Sequence, residues 1–188
     1  MKKILIALAT VGALASGNAM AQAYVGANVG ATRYSVDCAG TTTCDKSDTG
    51  FKVYGGWKFM PNLAAELNYF DFGTSTATVP LFGTLVNGEV QGRGVGVGLA
   101  FMSDFAQQWG AVARLGIASI NTDVSASAPG LGSGSADEDN ATFYGGIGIS
   151  YAFDKALRLH GDLDFSRVEF GGEKSNVRML SIGVSYSF

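Results

Sequence analysis

From Leu180 to Phe188 the chain alternates without a break. Leu180, Ile182, Val184, Tyr186 and Phe188 fall on one side, and Ser181, Gly183, Ser185 and Ser187 on the other. Successive side chains of a strand point to opposite faces, so this segment is one strand with an apolar face and a small, polar face. Such a strand has few uses in a soluble protein. It suits a closed sheet whose outer face meets lipid and whose inner face lines a narrow lumen.

The same two-residue period recurs along the chain and gives eight strands in all. The first offers Val25, Ala27, Val29 and Ala31 as its apolar face, the second Phe51, Val53, Gly55, Trp57 and Phe59, and the third Leu63, Ala65, Leu67 and Tyr69. Val95, Val97, Leu99 and Phe101 form that of the fourth; Trp109, Ala111, Ala113, Leu115 and Ile117 that of the fifth. The sixth carries Phe143, Gly145, Ile147, Ile149, Tyr151 and Phe153, and the seventh Leu157, Leu159, Gly161, Leu163 and Phe165. None of these positions is charged. The charges of the strands, Lys52, Lys58, Glu66, Arg114, Arg158, Asp162 and Asp164, all fall on the opposite, inward face. A lipid-facing Lys or Arg near the bilayer midplane costs ~2–4 kcal/mol, which accounts for the separation.

The expected fold is therefore all-β: an eight-stranded antiparallel up-and-down transmembrane β-barrel. Short connections at Met60-Pro61-Asn62, residues 103–108 and Asp154-Lys155-Ala156 alternate with long ones at 36–49, 73–89, 121–141 and 169–175. That rhythm matches periplasmic turns and extracellular loops, with both chain ends on the periplasmic side. Aromatic residues gather near the strand ends as two girdles, Trp57, Phe59, Phe101, Trp109, Tyr151, Phe153 and Phe188 below and Phe51, Tyr69, Phe143 and Phe165 above. A soluble lipocalin-like barrel would invert the faces. The girdles, and Gly94, Gly96 and Gly98 on the inward face, favour the membrane.

The N-terminus supplies a route there. Lys2 and Lys3, the apolar run from Ile4 to Leu14, and Ala19-Met20-Ala21 have the form of a signal peptide covering residues 1–21. The domain proper is then 22–188. Loss of Lys2 and Lys3 takes the formal net charge from −3 to −5, which argues against a nucleic-acid partner. Cys38 and Cys44 are the only cysteines, and an even pair in an exported chain implies a local disulfide. Their spacing fits no zinc site, and no metal or other cofactor is expected.

With these residues in view, the chain resembles the OmpA-like family of outer-membrane barrels over nearly all of 22–188. Tyr24 to Tyr34 (YVGANVGATRY) is similar to the family's first strand, Pro61 to Tyr69 (PNLAAELNY) to its second turn and third strand, and Leu99 to Gly116 to its fourth-to-fifth strand hairpin. The resemblance covers the barrel only, so the peptidoglycan-binding domain of full-length relatives is not expected. It implies an interior charge cluster that blocks or gates the lumen, with Glu66 and Arg114 at matching positions and Arg158 as the basic partner. Two family positions depart: Gly98 stands for a lysine and Ser150 for an acid. The resemblance also makes the last strand, through Tyr186 and Phe188, a signal to the barrel-assembly machinery. Outer-membrane lipids and lipopolysaccharide would surround a monomer.

Within that cluster Glu66 and Arg158 are expected to pair, because their strands face each other across the ring. Lipid-modifying barrels need a His with Ser and a carboxylate. The one His, His160, lies on the inward face between Arg158 and Asp162, so no catalytic residue is assigned and the chain is not expected to be an enzyme. The acidic run Asp137-Glu138-Asp139 lacks the ligand spacing of a calcium loop. A structural, surface-display role in envelope integrity or adhesion is the first expectation, a narrow low-conductance pore the second, and a lipid-A-modifying enzyme the third.

Overall fold

The computed structural model describes residues 23–35, 43–45, 47–81, 84–128, 132–170 and 173–188. The expected signal peptide lies outside them. Cys38, and with it the expected bridge to Cys44, lies outside them too.

The described residues form nine strands: β1 (Ala23–Tyr34), β2 (Thr43–Asp45), β3 (Ser47–Met60), β4 (Leu63–Leu81), β5 (Thr84–Asp104), β6 (Trp109–Ala128), β7 (Gly132–Ala152), β8 (Leu157–Phe170) and β9 (Glu173–Ser187). β2 only borders β4. The other eight close into one antiparallel ring in which β1 pairs with β3 and β9, and β4 pairs back with β5. Closure leaves no free edge at membrane depth, where unpaired backbone groups would find no water.

The faces fall as the alternation requires. Phe143, Ile182 and Leu180 are 76%, 68% and 67% exposed on the outside, whereas Lys52 and Asp162 are 0% and 1% exposed within. Apolar side chains outside and charges inside exclude the lipocalin-like arrangement. At the end with short turns, Trp109 stacks edge-on against Tyr151 at 5.1 Å between ring centroids, Tyr151 against Phe153 at 5.4 Å, and Tyr186 against Phe188 at 5.3 Å. In the last of these turns, Asp154 Oδ1 accepts the backbone N–H groups of Ala156 at 2.7 Å and Leu157 at 2.8 Å. Those two donors hold its carboxyl below the usual carboxylate range.

The outer connections are where expectation and structure part. Of the segments 73–89 and 121–141, expected as loops, the described residues 73–81, 84–89, 121–128 and 132–141 are instead the upper parts of β4–β5 and β6–β7. β5 also pairs with β6 as far out as Asn87 and Ser127, so the four strands continue as one sheet above the barrel. Within 169–175 the described residues are likewise strand, since β8 runs to Phe170 and β9 starts at Glu173. The Ser, Thr, Gly and Ala of these segments supply little apolar contrast, but backbone groups still need partners and the hairpin ladder provides them.

Gly73 marks the step from barrel to outer sheet. Its φ of 72° is open to Gly at little cost, and the β4–β5 register shifts between Asp71 and Thr74 there. Asp71 Oδ1 and Asp48 Oδ2 accept the N–H groups of Gly73 and Thr74, at 3.0 and 2.6 Å, so the bulge is tied down on both sides.

The opposite side of the ring is shorter. β7 pairs with β8 only from Ala152 and Arg158 up to Gly145 and Phe165. Above that level no described pair joins them, although β6–β7 and β8–β9 continue.

Candidate functional site

The lumen is filled in layers, and the middle one holds most of the charged residues expected inside. Arg114 reaches from β6 to two carboxylates: its Nε donates to Glu66 Oε2 at 3.0 Å and its Nη1 to Asp162 Oδ2 at 2.9 Å. Lys52 of β3 continues the chain, with Nζ 3.1 Å from Asp162 Oδ2 and 2.6 Å from Asp164 Oδ2. Tyr24 Oη donates to Glu66 Oε1 at 2.7 Å, and Asn28 Nδ2 to Asp162 Oδ2 at 3.0 Å. The Tyr54 ring lies beneath both cations, 4.9 Å from Arg114 Cζ and 5.6 Å from Lys52 Nζ. All five charged groups are buried, so each depends on its partners rather than on water.

The strands make this possible through glycine. Gly148 and Gly146 of β7 stand beside Asp162 and Asp164 of β8, and a Cβ at either would collide with the carboxylate. Small residues on the inward face of β7 thus leave the room that two acids and a lysine occupy.

Below this layer, toward the short turns, Arg158 makes a two-pronged contact with Asp104 at 2.7 and 3.0 Å. The expected Glu66–Arg158 pair does not form. Arg158 is the second residue of β8 and stands at the rim, level with the end of β5, while Glu66 is several residues up β4 beside Arg114. Lys58 lies at the same lower level, its Nζ 5.9 Å from the Tyr24 ring centroid, and does not join the central ladder. His160 and Ser185 meet there, with Nε2 and Oγ 2.7 Å apart. His160 Nδ1 has no hydrogen-bond partner among the described residues, and the pair faces the lumen.

Above the charges, the lumen turns apolar. Tyr34, Phe70, Phe72, Ala118, Ile120, Tyr144, Val177 and Met179 form one buried cluster. Phe70 and Phe72 stack at 5.5 Å, and Tyr144 meets Phe70 edge-on at 5.2 Å. Tyr144 lies across Gly96, Gly98 and Gly116, where its ring takes the space a Cβ would need, and its hydroxyl accepts a hydrogen bond from Asn68 Nδ2 at 2.8 Å. The tyrosine therefore occupies the place above Gly98 where the resembled family carries a lysine. Ser150, the other departure, lies 3.5 Å from Arg158 Nη1.

Sequence reasoning passed over Asn28, Tyr24, Tyr54 and Asp104. The first three were visible as polar or aromatic residues at inward positions. Asp104 was assigned to a turn, whereas it ends β5. Tyr186 and Phe188 lie on the outer surface, and the Phe188 N–H donates to the Ala23 carbonyl at 3.0 Å.

A ring of eight strands with lipid-type residues outside and a charge-paired interior finds its match in sequence as well: residues 4–188 match the outer membrane protein beta-barrel domain family. The chain belongs to that family. Its place is the outer membrane of a Gram-negative-type envelope, with eight strands as in its structural neighbours. One of these is Ail, the attachment invasion locus protein of Yersinia pestis, at 14% identity and a TM-score of 0.56, covering 89% of this chain and 99% of Ail. Neisserial surface protein A is similar at 15% identity and a TM-score of 0.56, with 88% and 97% covered. The N-terminal β-barrel domain of Pseudomonas aeruginosa OprF stands at 12% identity and a TM-score of 0.55, with 88% and 97% covered. At these identities the likeness is one of fold. No curated protein sequence matches the chain.

Proposed function

We propose that this barrel is a closed membrane anchor that presents its outer strands at the cell surface, in envelope integrity or adhesion. The observation that carries the reading is the filling of the lumen. An eight-stranded ring leaves an interior about the width of its own side chains, and here ion pairs occupy one level and aromatic rings the next. Meanwhile β5 and β7, each 21 residues long, far exceed the ~9–11 tilted residues that cross a bilayer. The excess forms the four-stranded outer sheet. The neighbours described as an attachment protein and a surface protein lend the same direction.

His160 takes no catalytic role in this reading, because its Ser185 contact lies inside the barrel, away from the acyl chains a lipid-modifying enzyme would handle. Planar-bilayer recording of refolded protein tests the anchor directly. No stepwise conductance is expected; well-defined openings would replace the anchor with a pore. Shortening β4–β5 to a tight turn near Gln91 should leave insertion intact while reducing adherence of cells to epithelial monolayers or their resistance to detergent. Unchanged behaviour on both counts would remove the display role.

A further inference from the structure

The lower lumen holds a cavity that neither the central ladder nor the apolar layer fills. It measures about 60 Å³ and reaches the β3–β4 turn at Pro61 and Asn62, on the end with short turns, which is the periplasmic end. Lys58 of β3, Arg114 of β6 and Arg158 of β8 line it from strands spaced around the ring, and Asp104 is the one acid on its walls. The cationic donors are unevenly committed. Arg114 gives Nε to Glu66 and Nη1 to Asp162, and Arg158 gives Nη1 and Nη2 to Asp104, so that Arg114 Nη2 and Arg158 Nε enter no hydrogen bond among the described residues. Lys58 has no ion pair among them at all; its Nζ lies over the Tyr24 ring instead.

The chain supplies no other acid at this end. Residues 1–36 contain none, and Asp154 is turned to the backbone of its own turn. All the rest belong to the central layer or to the segments 37–48, 71–89, 123–139 and 169–173, which lie in sequence around the outer strand ends. Lys58 is half-buried and shares the cavity wall with a second cation. A buried ammonium in that setting is costly until an anion joins it.

Size and donor placement set the class of anion. A water needs ~10–15 Å³ of such space, so the cavity takes roughly four to six atoms of that size, which matches a single oxyanion. A planar carboxylate is satisfied by one two-pronged guanidinium, as Asp104 is by Arg158. Donors arriving from three strands suit a tetrahedral group, with an oxygen for each. Tyr54 and His160 line the same cavity, and their Oη and Nδ1 have no partner among the described residues. We propose that this cavity binds one phosphate-sized tetrahedral oxyanion from the periplasm. Lys58 Nζ, Arg114 Nη2 and Arg158 Nε are its donors, and Asp104 holds Arg158 in place. The site lies at the end opposite the outer sheet, so it goes beyond the anchor reading and stands or falls apart from it.

Solution NMR of the refolded, isotope-labelled barrel in zwitterionic detergent tests the site with inorganic phosphate, glycerol 1-phosphate and acetate, each added at constant ionic strength. Inorganic phosphate should shift the amide signals of Lys58, Arg114 and Arg158 along one saturable curve and leave that of Arg93, at the outer end, in place. Lys58→Gln should weaken the binding by roughly tenfold or more, as loss of a charge-assisted hydrogen bond entails. Arg93→Gln should leave it unchanged. Folding of the variants is read from the heat-dependent gel shift, and if Lys58→Gln does not fold, the pattern of shifts in the unaltered protein decides alone. Glycerol 1-phosphate binding as tightly as inorganic phosphate assigns the site to the phosphate end of a larger molecule, and weaker binding assigns it to the free ion; both support it. Acetate binding as tightly as phosphate, shifts spread over cations at both ends of the barrel, or no saturable shift at all would overturn it.

Discussion

At mid-height the lumen is held by ion pairs among Lys52, Glu66, Arg114, Asp162 and Asp164; one level further out it is held by Phe70, Phe72, Ile120, Tyr144, Val177 and Met179. The two layers sit in the same ring and fill the same width, yet they tolerate change differently. Ion pairs are directional. Each acid has its place only because a particular cation reaches it, and a missing partner leaves a charge with nowhere to go. The apolar layer asks for volume and shape, and its losses scale with the space left empty. The charged layer therefore depends on which side chains meet across the lumen, and the apolar layer on how well its side chains fill the space above them.

Arg114→Met strikes the charged layer at its centre, because Glu66 and Asp162 lose a partner together. The expected loss is ~3–5 kcal/mol in urea unfolding from lipid vesicles, the range for breaking a buried pair. Adding Glu66→Gln to that variant should recover part of the loss, since one stranded charge disappears. Strictly additive losses would mean that the layer is hydrated and the contrast between layers false.

In the apolar layer the corresponding cut is Met179→Ala, at a residue with 0% exposure. About 3 kcal/mol is expected, in the middle of the range for removing so large a buried side chain. Unlike the first loss, this one should be partly restored by xenon or a small hydrocarbon that fills the space. A variant that loses nothing would show that the layer repacks freely and fills its space by adaptability instead.

Finer trimming sharpens the point. Ile120→Val should cost ~0.5–1.5 kcal/mol, the usual effect of one buried methylene. A loss comparable with that of Arg114→Met would erase the distinction between a layer of partners and a layer of volume.

Smallest of all is the rim. Asp104 is more than half exposed in its pairing with Arg158, so Arg158→Gln should cost ~0.2–1 kcal/mol, and less still at high salt. Salt-insensitive loss on the scale of the central ladder would place Arg158 in the buried layer after all.

Much of this was legible in the residues. Within the apolar band alternation reveals every face, because a lipid exterior tolerates no charge there and leaves the inward positions of that band to carry it. Lys52, Asp162 and Asp164 could be placed inside for that reason alone. Which cation met which acid was not legible. Pairing across a lumen depends on the relative heights of strands that tilt around the ring, and strands that face each other across it suggest Glu66 with Arg158 when Arg114 stands nearer. The outer sheet was hidden for a different reason. Ser75, Thr76, Thr78 and their partners sit above the apolar band, where neither face is selected for apolarity, so a paired strand and a polar loop share one composition.

The ring closes through its two ends: β1 and β9 pair from Tyr24 with Ser187 to Tyr34 with Val177. The strand laid down first and the strand laid down last are thus neighbours, and no other seam joins residues so distant in the sequence. Bringing them together carries the largest loop-closure cost of any pairing in the molecule, which makes this the late step of folding. Until β9 is in place the chain is an open sheet with two bare edges, ready to accept a foreign strand on either side. Pairing of β9 with β1 is thus the step that turns a sheet with exposed edges into a cylinder without them.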